Sequence, residues 1–477
     1  VLWASLMVSG ALSPAMADHP GAGGSALKSD DPFPVLDSIS RYVYEHPEVK
    51  PLKRTVLALP ADADGPLCFR TEEEFTQPIL QAYLDRALVH MNLWDERSMR
   101  FFESCGVKFI HWADLGWNRA YTASDWERLT AAADRIHGSD WGRDVILECG
   151  IMEAVHTQVT SSFRIPDWYL RVLTETGIQE RRVPGPNGLE CFNYDAMFDR
   201  NAPDWQHLVG LWSKGEGRES GPPDLTMLET QVYYAYLIAE YLDAGFEGIM
   251  FGQTMMTGAR DHDYAALYAL TRFARAWAAE RAYRGTVTLT SHVIEMPLWP
   301  AEPAAERRPF FTHITWPTRL STTDTNPFGM HFGPGVKAVN GRQGGAEIER
   351  LLAFPYDLPI LLEVDNYGRT PGPSAVCEQG YDEITAFAAQ PARARAGFLQ
   401  HYYFASRGWL NAHGNPRVHL ALVGNRCLNL SLSLGTDADG EPFPATSFYV
   451  PFAEMGGDEH AIAEALRYAR SPEWFAD

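Results

Sequence analysis

The chain has 477 residues, 61 of them acidic against 40 basic, for a formal charge of -21 at pH 7. Such a balance repels a phosphate backbone and offers no basic run for nucleic acid or anionic lipid, so neutral or cationic partners suit it better. Apolar residues make up 45% and aromatic ones 12%, enough for one large core, and α/β barrels with long loops occupy this length as a single unit.

Leu2 to Leu12 is a short apolar segment followed by Ala15-Met16-Ala17, small residues at the positions a signal peptidase inspects. Residues 1–17 therefore read as a secretory signal cleaved before Asp18, although no Lys or Arg precedes the apolar stretch. The expectation is an exported protein, periplasmic or extracellular. The segment is too short to span a bilayer, and the rest of the sequence offers no membrane span. Asp18 to Asp37 is rich in Gly, Ser, Pro and Asp, so residues 18–50 read as a mobile leader and 51–477 as one barrel domain.

The first strand is placed at Thr55 to Leu59. A helical region from Glu72 to Cys105 follows, with Leu80, Leu84, Leu88 and Met91 at helical spacing, and holds two helices. The second strand is Val107 to Asp114, and Ser124 caps the next helix with Glu127 three residues on. The third strand, Asp144 to Gly150, leads into an insertion near 151–224 that carries Trp168, Tyr169, Phe192, Tyr194, Trp205, His207 and Trp212. An insertion that follows a strand emerges on the C-terminal face of a barrel, where substrates bind.

Asp224 to Gly245 reads as a helix, Gly248 to Gln253 as the fourth strand, Tyr264 to Tyr283 as a helix and Thr286 to His292 as the fifth strand. Phe310 to Trp316 is the sixth, and a Gly-rich rim insertion near 317–345 follows it. A helix at Ala346 to Phe354 precedes the seventh strand, Pro359 to Asn366. After helical sequence from Glu383 to Ser406, the eighth strand is either Gly408 to His413 or Val418 to Val423, and a helix near Glu459 to Ala469 ends the chain. Most of these runs are apolar until a polar residue at or near their end. Parallel strands buried on both faces have that character, and their alternation with helices predicts an α/β chain folded as a (β/α)8 TIM barrel with long loops on its C-terminal face.

Glu148 ends Val145-Ile146-Leu147-Glu148, and Glu363 ends Ile360-Leu361-Leu362-Glu363. A carboxylate after three aliphatic residues sits where a dry interior stops, and desolvation there raises its pKa toward the range of a general acid. Strands three and seven lie four apart in a ring of eight, so these two acids can face one another and are the expected catalytic pair. Trp112 and Asp114 share one face of the second strand, an aromatic platform beside an acid, with His111 on the other face. Gln253 and His292 end the fourth and fifth strands as partners for hydroxyl groups, and His313 and His413 could act likewise. Glu153 and His156 lie just past the third strand. Asp365 and Tyr367 follow Glu363, and all of these except His111, His313 and His413 are assigned to the substrate cleft.

The cysteines, Cys68, Cys105, Cys149, Cys191, Cys377 and Cys427, form no CxxC pair and no zinc spacing. Their pairing is open, with Cys105 and Cys149 equally suited to be reduced core residues. The chain resembles the (β/α)8 glycoside hydrolases, which carry one Glu on a strand end and another Glu or Asp on strand seven. That resemblance implies cleavage of a glycosidic bond in a carbohydrate substrate, with no cofactor. The chain departs from the large retaining clan in having Leu147 where an Asn precedes the first Glu, and in placing that Glu on strand three while Gln253 ends strand four. Acid and nucleophile roles therefore stay unassigned between Glu148 and Glu363. Two alternatives stand beside this: a divalent metal held by Glu148, His292, His313, Glu363 and Asp365, as in barrels similar to xylose isomerase, and a barrel that binds sugar without turnover.

Overall fold

The computed structural model describes residues 34–52, 75–91, 95–115, 121–151, 153–161, 163–202, 219–261, 264–292, 310–317, 320–323, 326–330, 358–364, 383–388, 395–396, 399, 418–432, 446–449, 451 and 462. Within them eight short stretches form parallel strands: β1 Ala87–Val89, β2 Phe109–Leu115, β3 Ile146–Gly150, β4 Gly248–Met250, β5 Thr288–Thr290, β6 Ile314–Pro317, β7 Ile360–Glu363, and β8, which runs as Val418–Leu420 and Leu422–Val423 on either side of Ala421. Pairing passes from β1 through β5 in chain order. It also passes from β6 through β7 to β8 and from β8 back to β1. Between β5 and β6 the link is a parallel bridge of His292 with Thr315, where Thr312 N donates to Leu289 O at 2.8 Å and Thr315 N to Ser291 O at 3.1 Å. The eight strands thus pair all the way round as a (β/α)8 barrel.

Side chains alternate along each strand, and the alternation sorts them into two cores. Val89, Phe109, Ile146, Met250, Leu361 and Ala421 pack with Trp112 inside the ring. Leu88, Ile110, Leu147, Ile249, Leu289, Leu362 and Leu420 belong to the larger cluster that includes the helices. The N-terminal end of the ring is tied by Arg284, which precedes β5. Its guanidinium donates to Glu247 Oε2 at 2.5 and 2.9 Å, to Tyr83 Oη at 2.7 Å and to Asp144 O at 3.2 Å. These partners stand just before β4, β1 and β3.

Several expectations change. Thr55 to Leu59 lies outside the described residues, and the ring's first strand is Ala87–Val89, inside the stretch read as helical. Ala87, Leu88, Val89 and His90 are all fully buried, and a run buried on both faces has no periodicity to separate strand from helix. Its flanking helices are Gln77–Leu84 and Glu96–Cys105. The eighth strand is the later alternative, Val418 to Val423. Within the expected leader, Pro34–Glu45 is a helix that buries Val35, Leu36, Ile39 and Val43. Those residues have amphipathic spacing that the Gly- and Ser-rich sequence ahead of them masked.

The helix after β2 starts two residues earlier than expected. Thr122 is its N-cap, accepting from Asp125 N while Asp125 accepts from Thr122 N. Among the described residues of the insertion after β3, Trp168 and Tyr169 turn to the outer helical layer. Trp168 donates to Glu240 Oε1 at 2.9 Å and Tyr169 to Val232 O at 2.7 Å, both on the outer helix Leu228–Ala244. The buried pair Arg182–Glu229 fastens the same insertion to that helix through two N–H donors at 2.8 and 2.9 Å. Residues 1–17, Trp205, His207, Trp212 and His413 lie outside the described residues. Among the described residues, no helix is long and apolar enough to cross a membrane.

Candidate functional site: a carboxylate and imidazole chain on the barrel axis

Glu148 and Glu363 both point into the ring. His111, from β2, stands between them: Nδ1 contacts Glu148 Oε1, and Nε2 lies 3.4 Å from Glu363 Oε2. At the outer ends, His313 Nε2 lies 3.5 Å from Glu148 Oε2 and His292 Nε2 lies 3.2 Å from Glu363 Oε1. His313, Glu148, His111, Glu363 and His292 therefore alternate base and acid across the barrel interior. All five are buried; the side chains of the central three have 0% exposure.

The space for Glu148 comes from the neighbouring strand. Gly248 is its partner in register on β4, and a Cβ built on Gly248 would stand 2.7 Å from Glu148 Cβ and 2.8 Å from Cγ. Any side chain there would occupy the volume the glutamate uses.

Trp112 reaches the axis by a different device. The β2–β3 register shifts between Ile110 and Asp114, and Trp112 takes a φ of 59°, left-handed backbone that a bulky residue adopts at a cost of about 1–3 kcal/mol. The bulge turns His111 and Trp112 both inward. The indole then carries the Arg426 guanidinium 4.2 Å above its ring centroid, with the His292 ring edge-on at 6.0 Å. Arg426 Nη2 in turn lies 4.0 Å from Glu363 Oε2.

These contacts separate the two acids electrically. Burial pushes both upward. For Glu363, the charge and hydrogen bonds of His111 and then His292 overcome burial and hold it well below the usual carboxylate range. For Glu148, burial prevails over His111, helped by the charge of Glu363, and its pKa is raised. Burial by itself would depress His111, but Glu363 and Glu148 outweigh it and lift the imidazolium to about 9. His313 goes the other way, lowered by burial and by the neighbouring His111 and His419.

Of the residues expected to line the cleft, His292 contacts Glu363, and Trp112 packs against His111, His292 and Arg426. Glu153 and Gln253 instead form their own contact at the ends of β3 and β4, Gln253 donating through its backbone N at 3.2 Å and its amide at 3.3 Å. His156 lies in a small antiparallel pairing with Ser220 and accepts from Gln158 N at 3.0 Å. Asp114 is a correction. It sits beside Cys149 in register and accepts from Tyr121 at 2.6 Å and Tyr241 at 2.7 Å, so it faces the helical layer and not the axis. The bulge at Trp112, invisible to a period-two reading, breaks the shared face of Trp112 and Asp114. Asp365 and Tyr367 lie outside the described residues.

Hydrophobic pattern gives no sign that Arg426 reaches the axis, and period-two alternation puts His111 on the face opposite Trp112, whereas the structure brings both to Glu363. The available signals were Arg426 following the eighth strand, and Gly248 opposite a buried acid. Among the described residues, no group of three or more His, Cys, Asp or Glu stands as a metal set. Here nitrogen faces oxygen pair by pair. Cys149 and Cys191 stand as thiols, and Cys105 Sγ accepts from Ser104 Oγ at 4.0 Å. Asp95, Ser98 and His90 also gather, but not as a nucleophilic triad. His90 Nδ1 accepts from Asn425 N at 3.0 Å, so the N–H is on Nε2, facing Ser98 Oγ at 3.1 Å, while Ser98 donates to Asp95. A base would need that proton removed.

A cavity of about 890 Å³ lies outside the barrel, between Lys50, the helix Ala123–His137, residues Phe163 to Trp168 and the helix Leu228–Ala244. It does not touch the axial chain.

No family model matches the chain, and no curated protein is similar to it. Among solved structures, it is similar to a putative alpha amylase from Salmonella typhimurium, with 14% identity, a TM-score of 0.37, and 80% of this chain and 68% of that one covered. It is also similar to a debranching enzyme from Nostoc punctiforme soaked with acarbose, with 9% identity, a TM-score of 0.36, and 80% and 73% covered.

Proposed function

We propose that the protein is an exported glycoside hydrolase that cleaves its substrate with Glu148 and Glu363. The supporting observation is that these two acids, from strands four apart on the ring, meet across the axis with a single imidazole between them. In this chemistry one carboxylic acid gives its proton to the glycosidic oxygen as the bond to the anomeric carbon breaks. The other carboxylate attacks that carbon, or takes a proton from the water that does. Trp112, held face-on to Arg426, His292, and the Glu153–Gln253 pair at the strand ends are the groups nearest to hand for a sugar arriving from the C-terminal side.

The test is turnover of a panel of aryl glycosides and neutral polysaccharides by the wild type, by Glu148→Gln and by Glu363→Gln. Each amide should cost about 10²–10⁴-fold or more, with folding intact by circular dichroism, because neither a proton donor nor a carboxylate survives the change. Turnover should also persist in chelator. Wild-type rates in both variants would refute the pair, and loss of activity on chelation would favour the metal reading. The complete burial of both acids favours one further reading, a barrel that binds sugar without cleaving it. Saturable glycan binding without turnover, retained in both amide variants, would select it.

A further inference from the structure

The axial chain has a proton inventory that can be counted. A neutral imidazole has one N–H, an imidazolium two and an ionised carboxylate none. His111 faces a carboxylate at each ring nitrogen, hydrogen-bonded to Glu148 at Nδ1 and at ion-pair distance, 3.4 Å, from Glu363 at Nε2. Both contacts are satisfied if His111 is an imidazolium between two carboxylates, or if one acid is protonated and donates to His111 while the remaining N–H points at the other acid. Either way the chain holds one proton that belongs to neither acid alone.

What lies beyond the two carboxylates breaks the symmetry. Among the described residues, Glu148 faces His313 on its far side, at 3.5 Å. His313 is itself crowded by His111 and by His419, which is engaged by Asp85 at 2.7 Å. Glu363 faces His292 at 3.2 Å and the guanidinium of Arg426, a cation at every accessible pH, at 4.0 Å. Arg426 is held there by the indole of Trp112, whose left-handed backbone points it inward. A proton placed on Glu363 would forfeit its attraction to that guanidinium in a dry interior, whereas a proton on Glu148 or His111 keeps it.

We infer that the shared proton resides on the Glu148–His111 pair, so that Glu363 is the acid kept ionised and Arg426, seated on Trp112, is the positioning residue that keeps it so. Resting on the hydrolase reading, this makes Glu148 the proton donor and Glu363 the nucleophile or base. His111 then becomes a second positioning residue, from which the donor's proton is replenished.

The experiment uses the whole protein with carbonyl-labelled glutamate, and assigns the two resonances by their absence in Glu148→Gln and Glu363→Gln. As pH falls, Glu148 should protonate first, above the ordinary glutamate range, and Glu363 only below it. Arg426→Met should move the Glu363 titration upward, and Arg426→Lys, which keeps the cation, should return it toward the wild-type position. Glu363 taking its proton before Glu148 in the wild type would overturn the inference, as would an unmoved Glu363 titration in a folded Arg426→Met variant. The order of titration is read without any substrate. The expected order in a protein that turns over no glycoside would leave the charge assignment standing and count against hydrolysis alone.

Discussion

Gly248 shows how closely the site is fitted at single residues. Its position on β4, opposite Glu148, allows no Cβ, since one would also stand 2.8 Å from Thr288 Oγ1. Gly248→Ala should therefore displace the glutamate, costing about 1–3 kcal/mol of stability as an overpacked core does, with a larger loss in turnover than that destabilisation explains. Denaturant melts beside kcat measurements check it, and an unchanged rate would mean that Glu148 has room to spare. Glu148 and Glu363 were legible because each is an acid closing an aliphatic run, a pattern that burial makes expensive unless partners exist. His111 and Trp112 were not legible as inward neighbours. A one-residue bulge reverses strand alternation, and nothing in the local sequence announces it.

At the scale of elements, a long helix with apolar residues at helical spacing is legible even when buried nearly all round, as in Leu228–Ala244, stopped by Gly245 at a φ of 105°. Three-residue strands were harder. Ala87–Val89 is too short and too uniformly buried to carry a period, and it was absorbed into a helix. The ends of four elements are joined instead by Arg284, whose partners Glu247, Tyr83 and Asp144 come from separate parts of the chain. Arg284→Met would strand the Glu247 carboxylate in the base of the barrel, and breaking such a buried pair costs about 3–5 kcal/mol. Urea titrations should show that loss, with Glu247→Gln in the same background recovering part of it. No recovery would mean that the pair does not act as a unit.

For the molecule as a whole, the buried histidines set a window of stability. His111 has its folded pKa raised from 6.5 to about 9, so the stability its imidazolium contributes is complete below 6.5 and is lost as pH rises through 9. His90 has its pKa lowered from 6.5 to about 3 by burial, so it favours the folded state above 6.5 and loses that contribution as pH falls toward 3. Thermal melts should therefore peak near neutral pH and decline on both sides, and His111→Asn should flatten the alkaline slope in particular. An alkaline slope identical in that variant would show that His111 is not the group responsible. The order of strands and helices from β2 onward and the two acids at strand ends follow from hydrophobic period and composition, which are local properties of the chain, whereas the first strand, buried on both faces, does not. Which side chains share a proton, that Asp114 turns to the helices, and that Arg426 from beyond β8 comes to stand over Trp112 were decided only when distant segments closed the ring. Electrostatics and register inside a barrel depend on neighbours that are hundreds of residues away in sequence.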